Sequence, residues 1–247
     1  MRDSFRSRIP RLIVVLACVT IPLVASANDT QLTKDQIKVF LQTAKVIKEK
    51  QTSKGVTNPW HLTLSDGTIT HDASFQSIDE HKPQMKHENG TVEFGFVDSY
   101  KYNMAAYEIA ELLGVDDMMP VYVERKWQGQ IGSISWWLPV KMDEADRVQK
   151  KIAAPDTDRW NKQMYRVRVF DELVYDTDAN LTNVLIGEDW TIWRVDFSRA
   201  FRTNKNLHEP KNLVKCDHQL FDRLKTFSAS DLAEKTKRYL SKEEITA

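Results

Sequence analysis

The sequence predicts an α+β protein, a small antiparallel β half followed by a mostly helical half, in one domain of two lobes. Three observations predict it. From His61 to Leu138, short apolar runs alternate with the turn signals Ser65-Asp66-Gly67, Asn89-Gly90 and Trp127-Gln128-Gly129, the pattern of antiparallel hairpins. A single helical stripe, Ser99 to Leu113, interrupts those strands. From Trp160 to Val174, apolar residues recur instead at three- and four-residue steps (Trp160, Met164, Val167, Phe170, Leu173, Val174), the period of an amphipathic helix.

The chain opens with Arg2, Arg6, Arg8 and Arg11, an apolar run from Leu12 to Val24, and Ala25-Ser26-Ala27. That is the anatomy of a signal peptide, so residues 1–27 are expected to direct export and to leave by cleavage after Ala27. An uncleaved leader, or lipidation at Cys18, is the alternative. The 35 basic and 35 acidic residues balance, and losing the Arg-rich leader leaves a mildly acidic mature chain without a membrane span. A nucleic-acid surface is excluded on that ground. Cys216 then stands alone, so stability must come from a core rather than from disulfides.

Residues 28–54 are expected to form an N-terminal helix, with Thr33 as its cap and Ile37, Phe40, Leu41, Ala44 and Ile47 on one stripe, running to Lys50. Residues 55–139 make the β lobe. His61–Leu64 and Ile69–Ile78 flank one turn, Ser99 caps the helix that ends at Gly114, and Pro120–Lys126 and Gly132–Leu138 form a further hairpin. Trp136 and Trp137 must face opposite sides of their strand. Residues 140–247 make the helical lobe: Pro139–Pro155 as a charged helical link, the long amphipathic helix, a polar loop, a hairpin, and two closing helices at Asp217–Phe227 and Asp231–Leu240, the second capped by Ser230.

The chemistry gathers between Tyr165 and Arg202. After the helix, the loop Asp176 to Asn183 is rich in side-chain oxygens, and the hairpin Val184–Ile186 and Thr191–Val195 ends on Asp196-Phe197. Asp and Asn clusters also build ordinary turns and caps. An EF-hand is ruled out, because Leu181 stands where such a loop needs Gly and Gly187 where it needs Glu. No zinc-ligand spacing and no hydrolase elbow is present. A carboxylate at Asp178 that orients an attacking hydroxyl, with Asn183 and Asp196 as oxygen ligands for magnesium, is the set that phosphoryl transfer asks for.

YDTDANLTN followed by IWRVDFSRAF resembles the catalytic core of the atypical kinase-like group, which includes HipA, the phosphoinositide kinases and the secretory-pathway kinases. SYKYNMAAYEIAELLGV and PVYVERKWQGQIGSISWW are similar to that group's αC helix and the strands that lead to its hinge. The resemblance spans roughly residues 55 to 240 and implies a two-lobed protein-kinase-like fold that binds ATP and Mg2+ between its lobes. It implies Asp178 as the catalytic residue, Asn183 and Asp196 as metal ligands, and Trp137 at the adenine. The lysine that contacts phosphate falls at Gln76, and its αC glutamate at Asn103, with Glu108 too far along the helix to substitute. Ala179 stands where an Arg commonly follows the catalytic Asp, and no G-x-G-x-x-G loop is present. The resemblance therefore implies either a phosphotransferase acting on a protein, lipid or small-molecule hydroxyl, with Lys82, Lys86 or Lys101 as candidate replacements for the missing lysine, or a pseudokinase that binds and regulates.

Overall fold

The structure, a computed structural model, describes residues 32–52, 59–87 and 89–247. The expected leader lies outside the described residues. Leu32–Ala247 form one compact unit.

Helix α1 (Lys34–Thr43) starts on a capping box, the Thr33 hydroxyl taking the Gln36 amide while the Gln36 side chain returns to the Thr33 amide. It stops at Thr43, and Lys45–Gln51 is strand β1 rather than a further turn and a half of helix. Two forces stop it. Arg125 donates to the carbonyls of Leu41 and Ala44, both at 2.7 Å, which satisfies the helix end. The following Val-Ile pair is β-branched and finds a full antiparallel partner in β2 (Trp60–Ser65). Ile47, expected on the helix stripe, is consequently exposed.

Strand β3 (Thr70–Gln76) pairs with β2, and then the chain detours through a separate hairpin, β4 (Asp79–Lys86) and β5 (Val92–Ser99), turned at Asn89-Gly90. Helix α2 (Tyr100–Leu113) follows at once. Ser99 accepts the Lys101 amide at its start, and Gly114 closes it in the left-handed conformation that favours glycine. Strands β6 (Tyr122–Trp127) and β7 (Gln130–Trp136) complete a five-stranded antiparallel sheet in the order β1-β2-β3-β7-β6. Gly132 permits the close approach of β7 to β3, since a Cβ there would lie 2.3 Å from the Gln76 carbonyl oxygen.

The segment expected as a charged helical link is half strand. β8 (Val140–Asp143) pairs with β9 of the loop hairpin before α3 (Glu144–Gln149) begins on an Asp143 cap. Helix α4 (Thr157–Leu173) buries Trp160, Met164, Val167 and Phe170, whereas Leu173 faces solvent. β9 (Val184–Gly187) and β10 (Ile192–Arg194) are the two arms of the expected hairpin and form a three-stranded sheet with β8. α5 (His218–Thr226), α6 (Ala229–Thr236) and α7 (Lys242–Thr246) close the chain. The cap of α6 is Ser228 and not Ser230, because the Ser228 hydroxyl is the one that accepts the Ser230 and Asp231 amides.

One continuous core joins both halves. Phe40 and Leu41 of α1 meet Leu62, Leu64, Ala73, Phe75 and Ile134 on one face of the large sheet, and Val167, Phe170, Ile186, Ile192 and Phe197 fill the helical half. Among the described residues, no helix is long and apolar enough to cross a membrane.

Candidate functional site

The polar loop is held from below by charge. Arg194 is completely buried; its Nε donates to Asp171 Oδ1 of α4 at 3.0 Å, and its Nη2 donates to Asp176 Oδ2. It also donates to the carbonyls of Val195 and Asp196, and its guanidinium lies 4.6 Å over the Phe197 ring. The other Asp176 oxygen accepts the Asp178 amide at 2.9 Å. One cation therefore fastens the helix, the loop carrying Asp178 and the strand running into Asp196. Burial pushes the Asp176 carboxyl up to about 7 against the opposing pull of Arg194. Burial raises Asp171 in the same way.

Within the loop, the Asn183 side-chain amide donates to the Asp178 carbonyl at 3.2 Å. That bond engages the nitrogen end of the amide and leaves its oxygen as the atom available to a cation. The Asn183 carbonyl takes the Val195 amide at 3.0 Å, so Asn183 stands across from the residue preceding Asp196. Asp196 holds a left-handed φ of 62°, a strained conformation for a non-glycine residue. Asp178 receives one bond on its carboxylate, from the Asn180 amide at 3.1 Å. Among the described residues, no three His, Cys, Asp or Glu side chains converge on a metal position. A mixed set of one amide oxygen and one or two carboxylates fits magnesium, which keeps waters and takes its remaining ligands from phosphate.

The link above is neutral. The Asn103 amide of α2 donates to Gln76 Oε1 of β3 at 3.0 Å, and Asn103 Oδ1 accepts the Phe197 amide at 2.7 Å. The two residues expected at the positions of the ion pair thus bond to each other and reach the Asp-Phe segment. This contact also identifies the sheet face that looks onto the site. Gln76, Ser133 and Ser135 share it by strand alternation, and so does Trp137 one step further. Trp137 is 40% exposed and stacks on His61 with ring centroids 4.1 Å apart. Trp136 turns to the other face, where it stacks on His71 and meets Phe40 edge-on. The Tyr122 phenol, pushed up by burial, is hydrogen-bonded to the Asp196 backbone and to Ser135.

Two of the three candidate replacement lysines are engaged elsewhere, Lys82 with Glu80 at 2.9 Å and Lys101 with Asp79 at 2.6 Å; the third, Lys86, ends strand β4. Glu108 faces away, 3.7 Å from Lys235 of α6. Arg199 and Arg202, just past Asp196, are held by Glu93 of β5 at 2.6 and 2.5 Å. Two open surface hollows of about 360 and 400 Å³ lie apart from these residues, one at Thr203 and Ala247, the other beside α1. Neither gathers convergent chemistry, so the site is defined by its side chains rather than by cavity size.

Sequence reasoning missed Arg194, Asp171 and Asp176 as the support of the loop, and Tyr122 and Asp98 beside Asp196. For Arg194, the available signal was a lone charge between apolar residues in IWRV, inside a strand whose neighbours are buried.

The fold is that of the atypical kinase-like proteins. Fam20 of hydra, solved with sugar, superimposes with a TM-score of 0.60 at 14% identity, covering 88% of this chain and 85% of that one. The Golgi casein kinase gives 0.59 at 12% identity over 86% of this chain and 71% of its own. A second structure of it, with Mn and ADP bound, gives 0.59 at 11% identity, covering 86% and 72%. CtkA, a proinflammatory kinase of Helicobacter pylori, gives 0.51 at 9% identity over 83% and 89%. No family model and no curated protein matches the chain.

Proposed function

We propose that the protein binds a metal–nucleotide complex between its five-stranded sheet and its loop hairpin and transfers a phosphoryl group to a hydroxyl acceptor. The observation that carries this reading is the convergence of β3, α2 and the Asp196-Phe197 segment through the Gln76–Asn103–Phe197 bonds, with the Asp178–Asn183 loop tied to the same segment by the Val195 amide on the Asn183 carbonyl. The Mn and ADP in the Golgi casein kinase structure support a nucleotide and a divalent cation, here Mg2+ with ATP. The cation would be held by Asn183 Oδ1 and the Asp196 carboxylate, and it would neutralise phosphate charge there.

Asp178 would orient the acceptor hydroxyl and take its proton as the oxygen bonds to the terminal phosphorus and the bond to the leaving nucleoside diphosphate breaks. Asp176, itself held by Arg194, fixes the backbone of that loop through the Asp178 amide. Trp137 offers a flat apolar surface for the base. Export through residues 1–27 would place this activity outside the cytoplasm.

A second reading, a pseudokinase that binds and regulates, is favoured by the neutrality of Gln76 and Asn103. An amide keeps the geometry of the ion pair but supplies no ammonium to the developing phosphate charge. One experiment separates the two. Melting the mature protein with Mg2+ and ATP should raise its stability by roughly 2.7 kcal/mol at about a hundred times the dissociation constant. Asp196→Ala should abolish that gain. A shift accompanied by label transfer from the terminal phosphate to an acceptor marks the enzyme; a shift alone marks the binding module; no shift at millimolar ATP ends both.

A further inference from the structure

Asp98 closes strand β5 one residue before the Ser99 cap of α2, and it is 7% exposed. Its Oδ1 is buried with no hydrogen-bond partner, one of three such side-chain atoms among the described residues. A carboxylate oxygen taken out of water without a donor is costly, and folded proteins rarely leave one unless another group belongs there. The surroundings of Asp98 indicate what that group is. Its side chain bonds Ser198, two residues beyond Asp196, and it lies in the repulsive fields of Asp196 and Glu80. The backbone fixes this approach, since the Ser99 amide donates to the Ser198 carbonyl at 2.9 Å. Arg199, the opposite charge acting on Asp98, spends its Nη2 on Glu93, and its Nε is likewise buried without a partner.

We propose that Asp98 is a second carboxylate of the cation site: its unpartnered Oδ1 faces the divalent cation held by Asn183 and Asp196, directly or through one water. The assignment rests on the reading of the site given above. It explains why a buried acid at the end of β5 approaches the segment after Asp196, and how the sheet half can do without charges at positions 76 and 103. The cation, flanked by Asp98 and Asp196, carries the positive charge that an ammonium would otherwise bring. The β4–β5 hairpin then delivers two acidic side chains to the segment after Asp196, Glu93 to Arg199 and Arg202 and Asp98 to the cation.

The test is Mn2+ binding to the full mature chain saturated with ADP, read from the free-Mn2+ signal by electron paramagnetic resonance, with melting of the metal-free proteins alongside. Asp98→Asn should weaken Mn2+ binding about tenfold or more, as loss of a ligand or of its immediate support does. Without metal, it should melt no lower than the parent, because a neutral amide relieves the repulsion from Asp196. Asp98→Glu, which keeps the charge, should bind Mn2+ more tightly than Asp98→Asn. If Asp98→Asn binds within twofold of the parent while Asp196→Asn does not bind, Asp98 is no ligand and the site reading stands without it. If Asp98→Asn lowers the metal-free melting temperature and leaves Mn2+ binding intact, Asp98 is a structural partner of Arg199. If the parent itself binds no Mn2+, the site reading falls and this assignment with it.

Discussion

The two supports of the Asp196-Phe197 segment are built on opposite principles. Below it, Arg194 is buried without solvent contact between Asp171 and Asp176, three formal charges in one dry knot. Above it, Gln76 and Asn103 reach the same segment with neutral amides only. A charged knot is geometrically decisive but unforgiving, because removal of one member strands the others. A chain of amides is satisfied at lower stakes, each bond contributing about 1 kcal/mol net. Strong electrostatics thus position the loop, while neutral amides tie the sheet half to the same segment.

Breaking the knot should have the largest effect. Arg194→Met leaves Asp171 and Asp176 without their cation and should cost about 3–5 kcal/mol in urea unfolding at about pH 8, where both are ionised in the parent; a loss under 1 kcal/mol would mean that the two carboxyls are held protonated. Asp176 sharpens the same point through pH. Burial pushes it up to about 7 from the ordinary carboxylate value of 3.8, so the folded form holds this proton more tightly than the unfolded chain does. The stability it contributes is full below about pH 4 and is lost as pH rises through about 7, a span of up to about 4 kcal/mol. Asp176→Asn, which can still accept the Asp178 amide, should flatten that slope, and an unchanged slope would assign it to another group. The upper link should be milder. Asn103→Leu removes the acceptor of the buried Phe197 amide and should cost about 2 kcal/mol, a penalty that does not vary between pH 4 and 8.

Much of the fold was legible because its signals are local. The Ser99 cap, Gly114, the Asn89-Gly90 turn and the 3.6-residue stripe of α4 each act within a few residues. The stretch from Lys45 to Gln51 was not, because Val46 and Ile47 suit either period and the contest is decided by pairing with β2 and by Arg125, 84 residues from the Leu41 carbonyl it caps. The site divides the same way. The five-residue step from Asp178 to Asn183 and the Asp-Phe after a hairpin can be read in one stretch of chain. Arg194 cannot: its partners lie 23 and 18 residues back, and a charge in a strand reads as solvated until the fold buries it. Asp98 likewise reads as the polar half of a strand alternation, and only the docking of β5 on Ser198 removes it from water.

The central claim is that Asn183 and Asp196 hold a divalent cation with a nucleotide beneath the neutral amide link. Its most direct measurement is Mn2+ titration of the isotope-labelled mature protein with ADP present, followed by amide NMR. Paramagnetic broadening falls off steeply with distance. The signals of Asn183, Asp196 and Phe197 should be lost first, at substoichiometric Mn2+, while those of α5 and α6 persist. Broadening that begins instead at exposed acids such as Glu188 or Asp222, or that never singles out the Asp196 segment, would contradict the account.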